Sequence, residues 1–249
     1  VELNYKFYRV IQSKNYSEQA LQIEHDFAKI IDLQQTHGFT FNRDEANELL
    51  KTLIKRRIEL EADLQISFPA WTKDLEDFIP ARDNRTRGYK KGVPVKRNET
   101  VIFNPNSRYH IADRLREKYD WKPKVFTPDG KPQVDEVVLS KLNFPEAKLL
   151  SEYLLIQKRI SQLAEGSSAW LKLEKKGKIH GSVITNGAVT GRCTHRSPNI
   201  AQVPRVGSPY GKDCRSLFTV DEGYKLVGLD VSSLELRCLS HYLARYDNG

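Results

Sequence analysis

Methionine is absent from this 249-residue chain, and cysteine is scarce, with only Cys193, Cys214 and Cys238. Three thiols, odd in number and without metal-ligand spacing, argue against a cysteine-held metal and point to a reducing compartment, the cytoplasm. No uninterrupted apolar run is long enough to span a bilayer, so no membrane partner is expected. The N-terminus carries no secretory pattern. A start at Val1 with no Met reads as an internal piece of a longer polypeptide or as a processed product. Acidic residues are outnumbered, 32 against 40 Lys and Arg, which gives a net charge of +8. A basic chain of this size suggests a polyanionic partner, nucleic acid being the usual one; solubility alone is the bland alternative.

Helical periodicity dominates the first 175 residues. Leu21, Phe27, Ala28, Ile31 and Leu33 give residues 17–35 an apolar face, and Gly38 stops that helix. "FTFN" is a short extended link. Asn42 caps a second helix to about Ile66, with Leu49, Leu50, Leu53, Ile54, Leu60 and Leu64 on one broad face. Two helices so joined are expected to form an antiparallel pair. The stretch 82–97, "RDNRTRGYKKGVPVKR", holds seven basic residues and one acid, with two Gly, one Pro and no helical period. It reads as a mobile basic loop. Ser107 is placed to cap a third helix through "RYHIADRLREKY", "TPDG" at 127–130 is a turn, and a short helix comes next at 135–142. A long helix runs from Pro145, a good first-turn residue, to about Leu163. Beyond residue 175 the pattern turns mixed. "KIHGSVITNGAVTGRCTH" sets β-branched residues around Asn-Gly, the commonest two-residue hairpin turn. A Pro-rich loop at 198–209 leads to "KLVGLDV", read as a buried strand, and to a last helix from about Ser233. The expected fold is α+β, predominantly helical, with a boundary between 1–175 and 176–249.

A strand that delivers Asp230 to its C-terminal end can hold a hard cation, with the carbonyl of Val231 as a second oxygen ligand. Mg²⁺ prefers a few carboxylates with phosphate oxygens and water. Glu235, in the first turns of the helix, would line the same cavity. The bland reading is an acid favoured by the helix dipole.

The surrounding residues add a resemblance. "DVSSLELR" resembles motif A of family A DNA polymerases, usually D-Y-S-Q-I-E-L-R, matching at Asp230, Ser232, Glu235, Leu236 and Arg237. "TGR" at 190–192 and "PNIAQVP" at 198–204 resemble that family's T-G-R and P-N-L-Q-N-I-P segments, in the same order. "HGSVITNGAVTGR" and "LELRCLSHYLARYDNG" look most similar to the replicative polymerases of short-tailed bacteriophages. "FNPNSRYHI", "EYLLIQKRI" and the first helical pair look like their thumb. The resemblance covers nearly the whole chain. It implies long antiparallel thumb helices in 1–175 and the first part of an antiparallel-sheet palm in 176–249.

It also implies roles. Asp230, with the carbonyl of Val231, would hold the two Mg²⁺ ions of nucleotidyl transfer. Ser233, Leu234 and Glu235 would lie at the incoming dNTP, with Glu235 excluding a ribose 2′-OH. Arg192 would reach the minor groove at the primer terminus, where acceptors fall at similar positions for every base pair. Asn104, Ser107, Lys158, Asn199 and Gln202 would meet primer–template DNA. Asn104 and Ser107 are also ordinary capping residues, and Arg192 could instead pair with a local acid.

Departures from the family pattern bear on these roles. Val231 replaces the usual Tyr and Ser233 the usual Gln, and Arg205 comes directly after Pro204, so the role of the Arg that relatives place further on is not carried over. The span between Ile66 and Asn104 is much shorter than the thioredoxin-binding insertion of the phage enzymes, so a thioredoxin-type processivity factor is not expected. Motifs for the fingers helix and for the His-Asp-Glu turn are absent. "VELNYKF" resembles the segment just after the last aspartate of a proofreading exonuclease domain. The chain alone is therefore expected to be inactive: a second chain could supply the remaining polymerase portion, as in a split polymerase, or the sequence is a piece excised from a longer one. The alternative is a non-catalytic duplex-DNA-binding module; Glu235 argues against an RNA polymerase.

Overall fold

The computed structural model describes residues 2–247. In chain order the elements are α1 (Glu2–Ser13), α2 (Glu18–His37), β1 (Phe39–Phe41), α3 (Arg43–Ser67), β2 (Trp71–Phe78), β3 (Val95–Val101), α4 (Arg108–Tyr119), α5 (Glu136–Leu139) and α6 (Pro145–Ile160). A π-helical turn at Ser161–Glu165 extends α6, and α7 (Trp170–Leu173), β4 (Glu174–Lys175), β5 (Lys178–Ile179), β6 (Ser182–Ile184) and β7 (Thr194–Arg196) come after it. The chain then passes through a 3₁₀ turn at Ile200–Gln202, α8 (Gly211–Ser216) and β8 (Phe218–Thr219) to α9 (Leu234–Asp247). The fold is α+β with helices predominating and small antiparallel sheets.

Helix starts lie where polar caps put them. Ser17, Asn42, Ser107 and Asp135 each accept a backbone N–H from the first turn of α2, α3, α4 and α5. Pro145 opens α6, where its missing N–H costs nothing. The body is built on α3 against α6. Leu53, Leu60 and Leu64 are fully buried, as are Leu150, Ile156 and Ile160, and α4 adds Ile111 and Leu115. Polar ties cross the same interface: Arg56 donates to both oxygens of Glu152 at 2.7 and 3.0 Å, and Arg57 meets Glu165 at 2.8 Å. Tyr153 is buried, donates to Glu61 at 3.1 Å and accepts from Asn106. Burial and the neighbouring Glu61 push its phenol up to about 12.

Four expectations are corrected. The broad apolar face of α3 is buried as expected, but against α6 rather than α2. On α2 only Ile31 is buried, while Phe27, Ala28 and Leu33 are exposed. The link Phe39–Phe41 explains this, because β1 pairs with β5 and β8 and turns α3 away from its predecessor. Phe41, Trp170 and Phe218 pack edge to face behind it. Gly38 makes the bend at φ 69°, and a Cβ there would lie 2.7 Å from His180 Nδ1; only glycine tolerates both.

The basic stretch is the second correction. It is the tip of an antiparallel ribbon, β2 with β3, registered from Trp71↔Val101 to Phe78↔Val95. Trp71 seats the ribbon on α4, with His110 edge-on at 5.1 Å and the Arg114 guanidinium 4.0 Å above its ring. Third, Asn186-Gly187 does not make a two-residue hairpin. β6 and β7 do pair, but with Ile184 opposite Thr194, so residues 185–193 form a wider loop. Fourth, "KLVGLDV" is not a buried strand. Residues 225–231 have no strand pairing, and Leu226, Val227 and Leu229 are 68, 85 and 93% exposed. A strand exists only where another satisfies its N–H and C=O groups, and no described strand pairs with this segment.

Candidate active site and nucleic-acid interface

Asp230 ends the extended segment just before α9 and is exposed. Ser233 turns the chain into the helix at φ 54°, and Arg237 fixes the turn by donating its N–H to Ser233 O at 3.0 Å and its Nε to Ser232 O at 3.0 Å. Leu234 is the first residue of α9 and Glu235 lies next to it in the first turn. The expected order of carboxylate, turn, helix and second carboxylate is thus present, without the expected strand. Val231 is also exposed.

Glu235 has a partner: Arg192 Nη2 lies 3.1 Å from its Oε1, both side chains being mostly solvent-exposed. Arg192 stands on the Thr190-Gly191 turn, where Gly191 takes φ 77° and donates to Ala188 O, and Ala188 donates to Arg192 O. That turn brings the T-G-R segment and α9 together, although 43 residues separate the two charges. No group of three or more His, Cys, Asp or Glu among the described residues is placed to hold a metal ion. Asp230 supplies one carboxylate, whereas a bound Mg²⁺ needs further oxygen ligands. The described residues do not by themselves make a divalent-cation site.

The other expected residues are dispersed. Asn104 Oδ1 accepts from Asn106 N at 2.9 Å and Ser107 Oγ from His110 N at 3.3 Å, so both side chains serve local turns and caps. Lys158 is exposed in the last turn of α6, 3.9 Å from Glu136. Asn199 leads into the 3₁₀ turn with its Oδ1 enclosed and without a partner among the described residues. Gln202 is exposed, and its carbonyl accepts from Gln162 Nε2 at 3.2 Å, tying the loop to the π-helical turn.

The ribbon tip is an ordered knob. Asn84 and Tyr89 exchange backbone hydrogen bonds, and Asn84 Oδ1 accepts from Arg87 N at 3.0 Å. Asp83, the one acid of the stretch, accepts from Lys91 N at 2.7 Å. Arg97 lies 5.7 Å over the Phe78 ring, and Tyr89 packs 5.6 Å from the same ring. These residues border a hollow of about 440 Å³. Among the described residues none of the seven basic side chains at 82–97 forms an ion pair; Arg97 is bound to Glu76 O. Sequence reasoning found the charge but not the aromatic pair that shapes the hollow. It also missed Arg159, whose signal was a charged residue on the inward arc of α6 among Ile156 and Ile160.

The helical body and its small sheets are the architecture of a polymerase domain. The structure superposes on the POL domain of Pol1 from M. smegmatis, solved in complex with DNA primer-template and dNTP, with a TM-score of 0.51 over 76% of this chain and 28% of that one. At 18% identity this likeness speaks for the fold alone. The family rests on sequence: the model for DNA polymerase family A matches residues 90–245, more than half of the chain.

The chain belongs to DNA polymerase family A. It is 40% identical to the DNA-directed DNA polymerase of Enterobacteria phage T3 and 38% identical to that of Escherichia phage T7, each over 94% of this chain and 40% of the relative. DNA polymerase I of Helicobacter pylori is 35% identical over 57% of the chain and 15% of the relative. The chain thus spans about 40% of the length of the phage relatives it matches. Polymerases of this family are metal-dependent. No described helix is long and apolar enough to cross a membrane.

Proposed function

We propose that this chain is the thumb (1–175) and the start of the palm (176–249) of a phage-type, DNA-directed DNA polymerase that works in the host cytoplasm. It would add dNMP units from dNTPs to a primer 3′-OH on primer–template DNA. The observation that carries this is the 40% identity to a phage replicative enzyme over 94% of the chain, with the motif-bearing segments drawn together at Arg192 and Glu235.

In this reading Asp230 and the Val231 carbonyl would become ligands of Mg²⁺ once further carboxylates are supplied, and the metal would stabilise charge on the phosphate being transferred. Glu235, held by Arg192 and flanked by Ser233 and Leu234, would exclude a 2′-OH. Arg192, released onto the primer terminus, would read the minor groove, with Asn104, Ser107, Lys158, Asn199 and Gln202 along the DNA. The missing partner is the remaining polymerase portion, fingers and rest of the palm. The exposed apolar rows of α9, Leu236, Leu239, Tyr242 and Leu243, and of residues 226–231, support this: contiguous uncovered apolar surface marks an interface. The short span filled by the ribbon supports replication without a thioredoxin-type factor.

The test supplies the downstream portion of a phage relative in trans and measures primer extension. Activity should appear only with both pieces. Asp230→Asn should lower it by more than about a thousandfold, some 4 kcal/mol of barrier, while DNA binding persists. Extension within about tenfold of the parent would withdraw Asp230 from this role. One observation supports a non-catalytic duplex-binding module in its place: the unpaired cations of the ribbon need no catalytic residue. Retained DNA binding with no extension in any combination would favour that reading.

A further inference from the structure

The last turn of α6 carries a buried charge that forms no ion pair among the described residues. Arg159 is 9% exposed. Among the described residues its Nε is enclosed and has no acceptor, and its Nη1 reaches only the amide oxygen of Gln162, at 3.4 Å. Two other arginines of the helical body are treated differently: Arg56 grips Glu152 with two bonds, and Arg57 meets Glu165. A guanidinium does not escape its charge by losing a proton. Removed from water without a carboxylate, it is strongly destabilising. Leucine or methionine would fill the same space without that penalty, and an anion at the guanidinium would remove it.

Arg159 opens onto a cleft of about 1120 Å³ between α6 and the loop 205–210. The same face of α6 presents Lys148, Ser151 and Glu152, and the loop presents Arg205 and Tyr210. Two carboxylates also line the cleft. Glu152 is taken by Arg56, and Glu136 stands 3.9 Å from Lys158. Lys148, Arg159 and Arg205 are left as positive charges that form no ion pair among the described residues, with the hydroxyls of Ser151 and Tyr210 as further donors. One carboxylate would satisfy the arginine fork alone. Three cations and hydroxyl donors converging from two walls suit an anion with several oxygens and more than one charge.

We propose that this cleft is a phosphate-binding site, with Arg159 as its buried anchor and Lys148 and Arg205 as its flanking charges. It shares no lining residue with the Asp230 segment. The phosphate would come from a free nucleotide or pyrophosphate, or from the phosphodiester backbone of a nucleic acid.

Calorimetric titration of the chain at low salt, without divalent metal, tests this with three probes: inorganic pyrophosphate, dATP and a short single-stranded oligodeoxynucleotide. At least one should bind, and Arg159→Met should weaken that probe by about tenfold or more, as expected for loss of a charge-assisted fork. The same variant should unfold at an equal or higher temperature, because it removes an uncompensated charge while keeping the packed stem. Arg205→Ala, at an exposed position, should weaken the same probe without affecting the fold. Binding of pyrophosphate and dATP assigns the site to free phosphates; binding of the oligonucleotide alone assigns it to phosphodiesters. If no probe binds, or if Arg159→Met leaves every affinity unchanged, the site is overturned.

Discussion

The α3–α6 body and the segment 224–247 both carry rows of large apolar residues and reach opposite ends. In the body the leucines of the α3 face are packed against partners, and charged pairs such as Arg56–Glu152 close the seam. In the segment, Leu226, Val227, Leu229, Leu236 and Leu239 stand in solvent, and a hydrophobic run lies extended without pairing. A helix satisfies its own backbone hydrogen bonds locally, and packing of its apolar face supplies most of its stability. A strand borrows its hydrogen bonds from elsewhere in the chain or from another chain. The comparison separates what a local pattern can build from what it can only request.

Loss of the Asp230 carboxylate, proposed above as a metal ligand and measured by primer extension with the downstream portion supplied, is the largest effect expected. Next comes the core. Leu60→Ala should destabilise the chain by about 2–5 kcal/mol, the range for a buried leucine, as read by urea denaturation. Leu239→Ala should change the same stability by less than about 0.5 kcal/mol, as surface positions do, yet weaken association with the missing polymerase portion. A large effect of Leu239→Ala on the chain alone would break the contrast.

Tyr153 sharpens it in the body. Its folded-state phenol is raised to about 12 by burial and Glu61. The associated stability is therefore fully present below the unfolded value near 10 and is lost as pH climbs through the folded value. At one pKa unit per 1.36 kcal/mol the full loss is about 2–3 kcal/mol. Alkaline unfolding curves of Tyr153→Phe should lack this step; an identical alkaline profile in both proteins would dismiss it.

The ribbon gives a smaller effect. Replacing Arg82, Arg85, Arg87, Lys90 and Lys91 by Ser should lower duplex affinity about tenfold and flatten its dependence on salt, each lost phosphate contact taking about 0.9 from the logarithmic slope. An unaltered slope would remove the ribbon from the DNA interface. Smallest is the Arg192–Glu235 pair, exposed on both sides. Arg192→Ala should cost the isolated chain less than about 0.5 kcal/mol, as for surface pairs generally. A thermal shift of several degrees would mean the pair is structural instead.

Much of this architecture was legible from residue types. Asn42, Ser107 and Pro145 mark helix starts because capping is local chemistry. Motif order singles out Asp230, Glu235 and Arg192, and the structure brings Arg192 and Glu235 within 3.1 Å of each other. The swap of α2 for α6 as partner of α3 was not, since it depends on β1 pairing with β5 and β8, far away in sequence. The ribbon was hidden because β2, "WTKDLEDF", alternates too weakly to declare itself, and its aromatic hollow forms only when Phe78 and Tyr89 meet. Arg159 was passed over because an arginine among apolar residues reads as helix surface until burial is known.

At the ribbon tip, Asp83 and Asn84 use their side chains on the backbone of Lys91 and Arg87. The charged side chains of Arg82, Arg85, Arg87, Lys90 and Lys91 take no part in that scaffold. Shape and charge are thus encoded by separate groups. Selection, or an engineer, can rewrite what the knob recognises by exchanging arginines and lysines while the loop keeps its form. The ribbon tip can therefore change its surface charge without having to refold.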